Sequence, residues 1–327
     1  MRAWKVHGQG EPSDVLRLAE LDPPTPGPGM LRLEVAGAAI GFPDVLMCRG
    51  AYPLTPEGDF TPGQEVAGTV TAVGDGVDPS LLGQRVMAVT AFYLGHGGFA
   101  DQALAAASTV FSVPDDMADD QAAAFTIPYH TGWIALHARG DLQAGETLLV
   151  LGAAGGSGAA AIQIGVLMEA RVIAVVGGAD KAAFCTGLGA DVVIDHRTSD
   201  VTDAIGEATD GRGVDVIFDP VGGQPALTAL RSIANEGRHL LVGFASGEWA
   251  SPTSHEVAIG NHSLVGVYVG AYDHDRIEII HNAVLAHYHA GHLASIVTER
   301  VGFDDLPGAL DQLAGRSVVG KAVMIAG

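Results

Sequence analysis

Residues 151–158 read Leu-Gly-Ala-Ala-Gly-Gly-Ser-Gly and lie in a run, 147–168, that contains no Asp, Glu, Lys or Arg. Two kinds of chemistry fit one serine among four glycines. A serine on a tight strand-to-helix turn is a hydrolytic nucleophile when glycines stand two residues before and two after it. Gly155 meets the first condition, but residue 159 is alanine, and no Asp and His partners stand out. A glycine turn between a strand and a helix does something else. It lets the backbone approach a diphosphate, while the helix start supplies free N–H groups and the positive end of its dipole. The flanks favour this second chemistry: "TLLVLGA" reads as a strand, and "GAAAIQIGVLM" carries apolar residues at helical spacing. The uncharged run is also long enough for a membrane span, which needs about 20 residues. Its five glycines divide it into two short buried elements instead.

The elements that must hold this turn follow it in sequence. "RVIAVVGGADKAAF" gives a second strand and another helix, and "ADVVIDH", "GVDVIFDPVGG" and "GRHLLVGFASG" are short apolar strands closed by glycine or polar turns. Strands alternating with helices predict an α/β fold with a doubly wound parallel sheet of Rossmann type. In such sheets an acid at the end of the second strand holds the ribose 2′-hydroxyl of NAD. Here that strand ends in Gly177-Gly178, which leaves room for a 2′-phosphate. Lys181, one of only three lysines, follows, and His196 and Arg197 come after the next strand. Asp180 argues for NAD, and Lys181 can also be read as a solvated helix-start residue. The first 115 or so residues differ: "MLRLEVAGAAI", "GQEVAGTVTAVG" and "QRVMAVT" alternate with Gly and Pro turns and predict a small β-barrel. The expected domains are residues 1–117 and 261–327 as one discontinuous unit, with a nucleotide domain at 118–260 inserted.

Composition narrows the partners. Lys plus Arg is 17 against 38 for Asp plus Glu, a net charge of −21, which disfavours nucleic acid and anionic membrane surfaces. Two cysteines far apart, Cys48 and Cys185, allow no cysteine-rich zinc lobe and fit a reducing, cytoplasmic setting. The N-terminus lacks the apolar core of a signal peptide. His281, His287, His289 and His292 have no clean ligand order and read as a solvated helix face, so no metal site is expected.

Seven motifs then appear in order: "GFPDVLMCRGAYP" (41–53), "PGQEVAGTVTAVG" (62–74), "GQRVMA" (83–88), "GGFADQ" (97–102), "AAAFTIPYHTGWIAL" (122–136), "VLGAAGGSGAAAIQIG" (150–165) and "VVGKAVMIAG" (318–327). Together they resemble the zinc-independent quinone oxidoreductase (zeta-crystallin-like) branch of the medium-chain dehydrogenase/reductase superfamily. The resemblance implies a GroES-like barrel, a Rossmann domain, NADPH, a cleft between the domains, and a homodimer formed through the nucleotide domains. It places Thr131, Gly155, Gly156, Ser157, Gly178, Lys181 and Phe244 at the cofactor, with His196 where many relatives carry a tyrosine. Zinc-dependent relatives carry Cys within the segment Gly41-Phe42-Pro43-Asp44 and His at Gln64; only Glu65 remains, and one carboxylate is no zinc site. Gly41 and Leu46 replace the Asn and Tyr frequent in quinone reductases, so the pocket is expected to be wider and more apolar. Phe42, Tyr129 and Tyr268 are further pocket candidates, and Tyr52 and Asp44 are the catalytic candidates; for these two, a core tyrosine and a turn brace are the plain structural readings. Three functions stay open: quinone reduction, reduction of an enone, alkenal or enoyl thioester, and non-catalytic NADPH binding.

Overall fold

The alternating strands of the N-terminal third close into a barrel. The computed structural model describes all 327 residues. They divide into two units, Met1–Ile127 with Ser295–Gly327, and Pro128–Ala294. The first unit opens with β1 (Arg2–Val6), α1 (Pro12–Val15) and β2 (Leu16–Glu20), and continues through β3 (Met30–Ile40), α2 (Phe42–Cys48), β4 (Glu65–Val73), β5 (Arg85–Thr90), β6 (Gln102–Ser112) and α3 (Asp119–Ala123). α4 (Thr126–Trp133) starts at its end. In β3, Leu31, Leu33 and Val35 are buried while Arg32 and Glu34 are not, the period of two that one buried face demands. β3 pairs with β4 along its length and with β6 through residues 30–34, and β4–β5–β6 complete the ring.

The second unit follows with β7 (Thr147–Val150), α5 (Gly156–Leu167), β8 (Arg171–Val176), α6 (Ala179–Gly187), β9 (Val192–Asp195), α7 (Val201–Ala208), β10 (Val214–Asp219), α8 (Gly223–Leu230), β11 (Ile233–Leu241), α9 (Ser254–Gly260), β12 (Ser263–Gly266) and α10 (His274–His289). The chain then returns to the first unit as β13 (Val297–Gly302), α11 (Leu306–Ala314) and β14 (Lys321–Ile325), with β14 antiparallel to the end of β3.

The six strands of the second unit run in the order β12-β11-β10-β7-β8-β9, every pair parallel. All four residues of β7 are buried, as expected of a central strand covered on both faces. The order reverses between β7 and β10, and ligands of such sheets bind beyond the strand ends at this switch point.

The domain boundaries need correction. The nucleotide unit ends at Ala294 rather than near residue 260. β12 supplies the sixth strand of its sheet, and α10 is tied back to α4 by His281 and His130, whose Nδ1 and Nε2 atoms stand 3.1 Å apart. Its start also falls later than expected, at Pro128, because Thr126 and Ile127 are bonded to Glu65 of the barrel unit. No helix is long and apolar enough to cross a membrane.

Candidate active site

The glycine turn occupies the carboxyl end of β7. Leu151 N–H donates to Phe218 O across the switch point, and Gly155 N–H closes back on Gly152 O (3.0 Å). Gly155 begins α5 with no side-chain cap, so the N–H groups of the first turn face outward without a protein acceptor. Gly158 has to be glycine, because a Cβ there would stand 2.5 Å from Gly152 O and 2.6 Å from Ala153 Cα. The close passage of Gly158 over the turn brings the helix start against the strand end. Gly156 and Ser157 form the half-buried rim of the cradle. These features fit a diphosphate.

At the end of β8 the backbone passes through Gly177 and Gly178, the latter at φ +110°. His196 and Arg197 reach over this shelf from the turn after β9: a Cβ on Gly177 would stand 2.8 Å from His196 Nε2 and 3.0 Å from Arg197 Nε. Asp195 holds the turn by accepting from Arg197 N–H (3.0 Å), and that bond lowers its carboxyl below the ordinary range. Lys181 sits in the first turn of α6, half-buried, while Asp180 is exposed. Three basic side chains therefore lie about a shelf that has no acid on β8 itself, and the nearest carboxylate, Asp195, accepts from Gly178 N–H as well as from Arg197 N–H.

The loop bearing Phe244 is fixed by a feature that the motifs do not reveal. Asp219, at the end of β10, is fully buried and accepts from Val221 N–H (2.9 Å) and Gly222 N–H (2.8 Å) through Oδ1. Its Oδ2 lies 2.9 Å from Nε2 of the equally buried His239 on β11. Its backbone oxygen takes Val242 and Gly243 N–H, and Ala245 and Ser246 N–H donate to Pro220 and Val221. Phe244 then packs against Trp249, with ring centroids 4.7 Å apart and the planes tilted by 34°. Sequence signals for this clamp were present in the "DP" that ends one strand and the histidine inside the next. Thr131 lies half-buried on α4, next to Gly132, whose missing side chain admits Ile164 of α5.

In the barrel unit, the positions where relatives hold zinc are otherwise engaged. Asp44 is buried and accepts from Gly41 N–H (2.9 Å) and Gly63 N–H (3.0 Å). Burial pushes its carboxyl up to about 7, against the opposing pull of those N–H groups and of Lys321. Glu65 accepts from Thr126 Oγ1 (2.8 Å) and Ile127 N–H (2.7 Å) through Oε1, and from the buried Lys321 Nζ (3.1 Å) through Oε2. Gln64 points its amide at Met47 Sδ (3.7 Å).

The expected pocket residues divide. Gly41, Phe42 and Leu46 lie on the start and body of α2, and Tyr52 follows the helix, half-buried with its ring 6.3 Å from Phe92. Leu46 is buried, and Phe42 carries the Arg316 guanidinium 3.9 Å above its ring. Asp44, a catalytic candidate or a turn brace by sequence, has the contacts of a brace: Oδ2 holds the turn into α2 and Oδ1 ties it to Gly63 ahead of β4. Tyr129 departs from its expected pocket position as well. It is buried, its hydroxyl donates to Ala294 O (2.8 Å) and receives Gln163 Nε2 (3.1 Å), and desolvation raises its phenol above the usual range. Tyr268 is 61% exposed in the second unit.

Of the histidines expected on a solvated helix face, His289 and His292 are exposed and His287 is half-buried, but His281 is not on that face. His281 is buried beside His130, and desolvation lowers the two imidazoles to about 4 and about 3. His287 instead faces His292, with Nδ1 atoms 3.3 Å apart.

A closed barrel in one unit, and in the other a parallel sheet with a glycine cradle at its switch point, are the two parts of a medium-chain dehydrogenase/reductase fold. Residues 27–115 match the alcohol dehydrogenase GroES-like domain, and residues 156–284 match the zinc-binding dehydrogenase family. Quinone oxidoreductase-like protein 2 of Mus musculus is 34% identical over 281 residues, covering 84% of this chain and 79% of that protein. The Escherichia coli quinone oxidoreductase complexed with NADPH superposes with a TM-score of 0.91 at 25% identity, over 99% of this chain and 100% of that one. A mycobacterial protein complexed with NADPH gives 0.92 at 29% identity, again over 99% and 100%. The chain belongs to the quinone oxidoreductase branch of this superfamily.

Proposed function

We propose that the chain is an NADPH-dependent reductase that passes hydride to a quinone or a related conjugated carbonyl, without zinc, and works as a homodimer. The observation that carries the reading is the glycine shelf Gly177–Gly178 at the end of β8, where NAD-binding sheets place an acid, covered by His196 and Arg197 with Lys181 beside it and with Asp195 turned onto backbone N–H groups. A carboxylate there would repel a 2′-phosphate, whereas these side chains attract one. Bound NADPH supplies hydride from nicotinamide C4. The chain's own residues do the rest. The first turn of α5 holds the diphosphate, and Phe244, anchored through Asp219, and Thr131 lie against the coenzyme as the resemblance implies. A zinc-dependent alcohol dehydrogenase uses a Lewis acid to polarise its alkoxide; here Asp44 is committed to backbone N–H groups and Glu65 to Lys321, which favours an acceptor already activated by conjugation. The reduced oxygen takes its proton from Tyr52 or from water.

The apolar Gly41 and Leu46 favour a second reading within the same chemistry, in which the acceptor is an enone, an alkenal or an enoyl thioester. A panel of quinones and α,β-unsaturated carbonyls, assayed with NADPH deuterated at C4, tests both. Label should appear in the reduced carbonyl product, or an isotope effect should appear with quinones, and activity should survive dialysis against a strong chelator. Tyr52→Phe should slow turnover, at the low end of the roughly 10²–10⁴-fold range of general acid catalysis. Saturable NADPH binding with no acceptor reduced would replace the enzyme with a binding protein.

A further inference from the structure

α10 is sixteen residues long and ends at His289, after which the chain turns through Gly291 (φ +75°). His292 N–H bonds back to His287 O (3.0 Å), and this turn brings the side chains of His287 and His292 together at the helix's carboxyl end. Their rings lie 5.6 Å apart between centroids, at 37°, with Nδ1 facing Nδ1 at 3.3 Å. The two nitrogens face each other head-on at the long end of hydrogen-bond range, so that in the metal-free protein one ring donates to the other. The spacing is also close to the bite of two imidazoles on one ion: two metal–nitrogen bonds of about 2.0–2.1 Å put the nitrogens about 3.3–3.4 Å apart on tetrahedral Zn²⁺ and about 2.8–3.0 Å apart on tetragonal Cu²⁺ or Ni²⁺, a small closure for two side chains at a helix end. The carboxyl end of a helix carries the negative end of its dipole, which favours a cation at the same point.

We propose that His287 and His292 form a surface site for a borderline transition-metal ion, Cu²⁺, Ni²⁺ or Zn²⁺, bound through both Nδ1 atoms with water completing the shell. Imidazole pairs suit these ions, and Cu²⁺ is held most tightly among them. With the ion bound each ring carries its proton on Nε2, so binding releases none from the neutral pair. The site is separate from the positions where dehydrogenases carry zinc, and it plays no part in hydride transfer. It ties the end of α10 to the turn before Ala294, whose N–H and carbonyl are held by Gln163 and Tyr129. Occupancy therefore closes a loop in the second unit.

The indole of Trp133 lies 5.5 Å from the His287 ring and stacks on His137 at 5.1 Å, which makes it a built-in reporter. Tag-free, chelator-stripped protein should show tryptophan fluorescence quenching by Cu²⁺ that saturates at one ion per chain, and Trp133→Phe should remove most of that signal. His287→Ala and His292→Ala should each weaken Cu²⁺ binding by more than about tenfold, the low end of what even outer partners of a metal site cost when lost. His289→Ala, on the same helix end, should not. As a second readout, Ni²⁺ should raise the melting temperature of the wild type and leave the double variant unmoved. Equal midpoints for the wild type and both single variants, or no saturable quenching, would overturn the site.

Discussion

At the end of β8 a missing side chain decides more than any present one. Gly177 and Gly178 were legible in the sequence as an absent acid, and the structure adds that His196 and Arg197 cover the space a side chain would fill. The coenzyme prediction follows from this. Lys181→Ala removes one charge-assisted contact and should weaken NADPH by about 1.5 kcal/mol, the low end for a hydrogen bond to a charged group, because Lys181 is half exposed. NADH affinity should hardly change. Gly177→Asp should act in the opposite sense, since the atoms its Cβ would meet are the far ends of two flexible side chains that can move aside. Its carboxylate should repel the 2′-phosphate and shift the preference toward NADH. Titrations of both coenzymes measure this, and a wild type that binds NADH as tightly as NADPH would refute it. Asp44 was less legible. A carboxylate beside a proline in a recognised motif reads equally as acid catalyst and as turn brace. Only its burial and its two N–H donors separate the roles.

The helices α4 and α10 show how an element can mislead when its face is judged from residue type alone. Four histidines near the end of α10 looked like a polar surface, yet the buried positions of that helix are Ile277, Ile280, His281 and Val284. Their spacing is the apolar stripe of a packed helix, so His281 stood at a core position and the periodicity could have placed it. The nucleotide unit was cut short at residue 260 for a related reason: β12 is four residues long and mostly exposed, too short for a pattern. The buried pair has a pH signature. His130 and His281 are held neutral in the folded chain at about 3 and about 4, whereas unfolded histidine titrates near 6.5. As pH falls through the window from about 6.5 to 4, the unfolded state takes up protons that the folded state refuses. Stability should therefore fall with pH, by up to about 1.4 kcal/mol per pH unit for each proton. Asp44 works in reverse: its raised folded value makes stability decline as pH rises from about 4 to 7. The histidine part is isolated by urea unfolding of the wild type against the double variant His130→Gln, His281→Gln at pH 7 and pH 5. The double variant should lose less stability on acidification, and equal losses would remove the pair from the account.

For the whole molecule, seven ordered motifs made the barrel and the parallel sheet legible before any coordinate, because each glycine turn and strand end recurs where one backbone requires it. The motifs did not reveal buried pairing between distant residues, such as Glu65 with Lys321 or Asp219 with His239, since neither partner carries a local signal for the other. Subunit association is read at the same scale. β12 closes the order of the six-stranded sheet and pairs only with β11, so its outer edge presents unpaired backbone groups, and Leu264 on it is 36% exposed. Beside it lies an open groove of about 700 Å³ lined by residues including Pro252, Val257, His262 and Leu264. Both ring nitrogens of His262 are buried there without a hydrogen-bond partner. A free edge beside unpartnered polar atoms invites another strand, and proteins normally cover or charge such edges. A second copy would cover it by placing its own β12 antiparallel across a two-fold axis, so that the two sheets would join into one and each Leu264 would meet the same surface of its partner. Sedimentation equilibrium of the wild type should give a dimer. Leu264→Lys puts a charge at the centre of that seam and should shift the protein toward monomer without lowering NADPH affinity, because the cradle lies at the switch point between β10 and β7, three strands from this edge. A monomeric wild type, or a Leu264→Lys variant as dimeric as its parent, would exclude association through this edge.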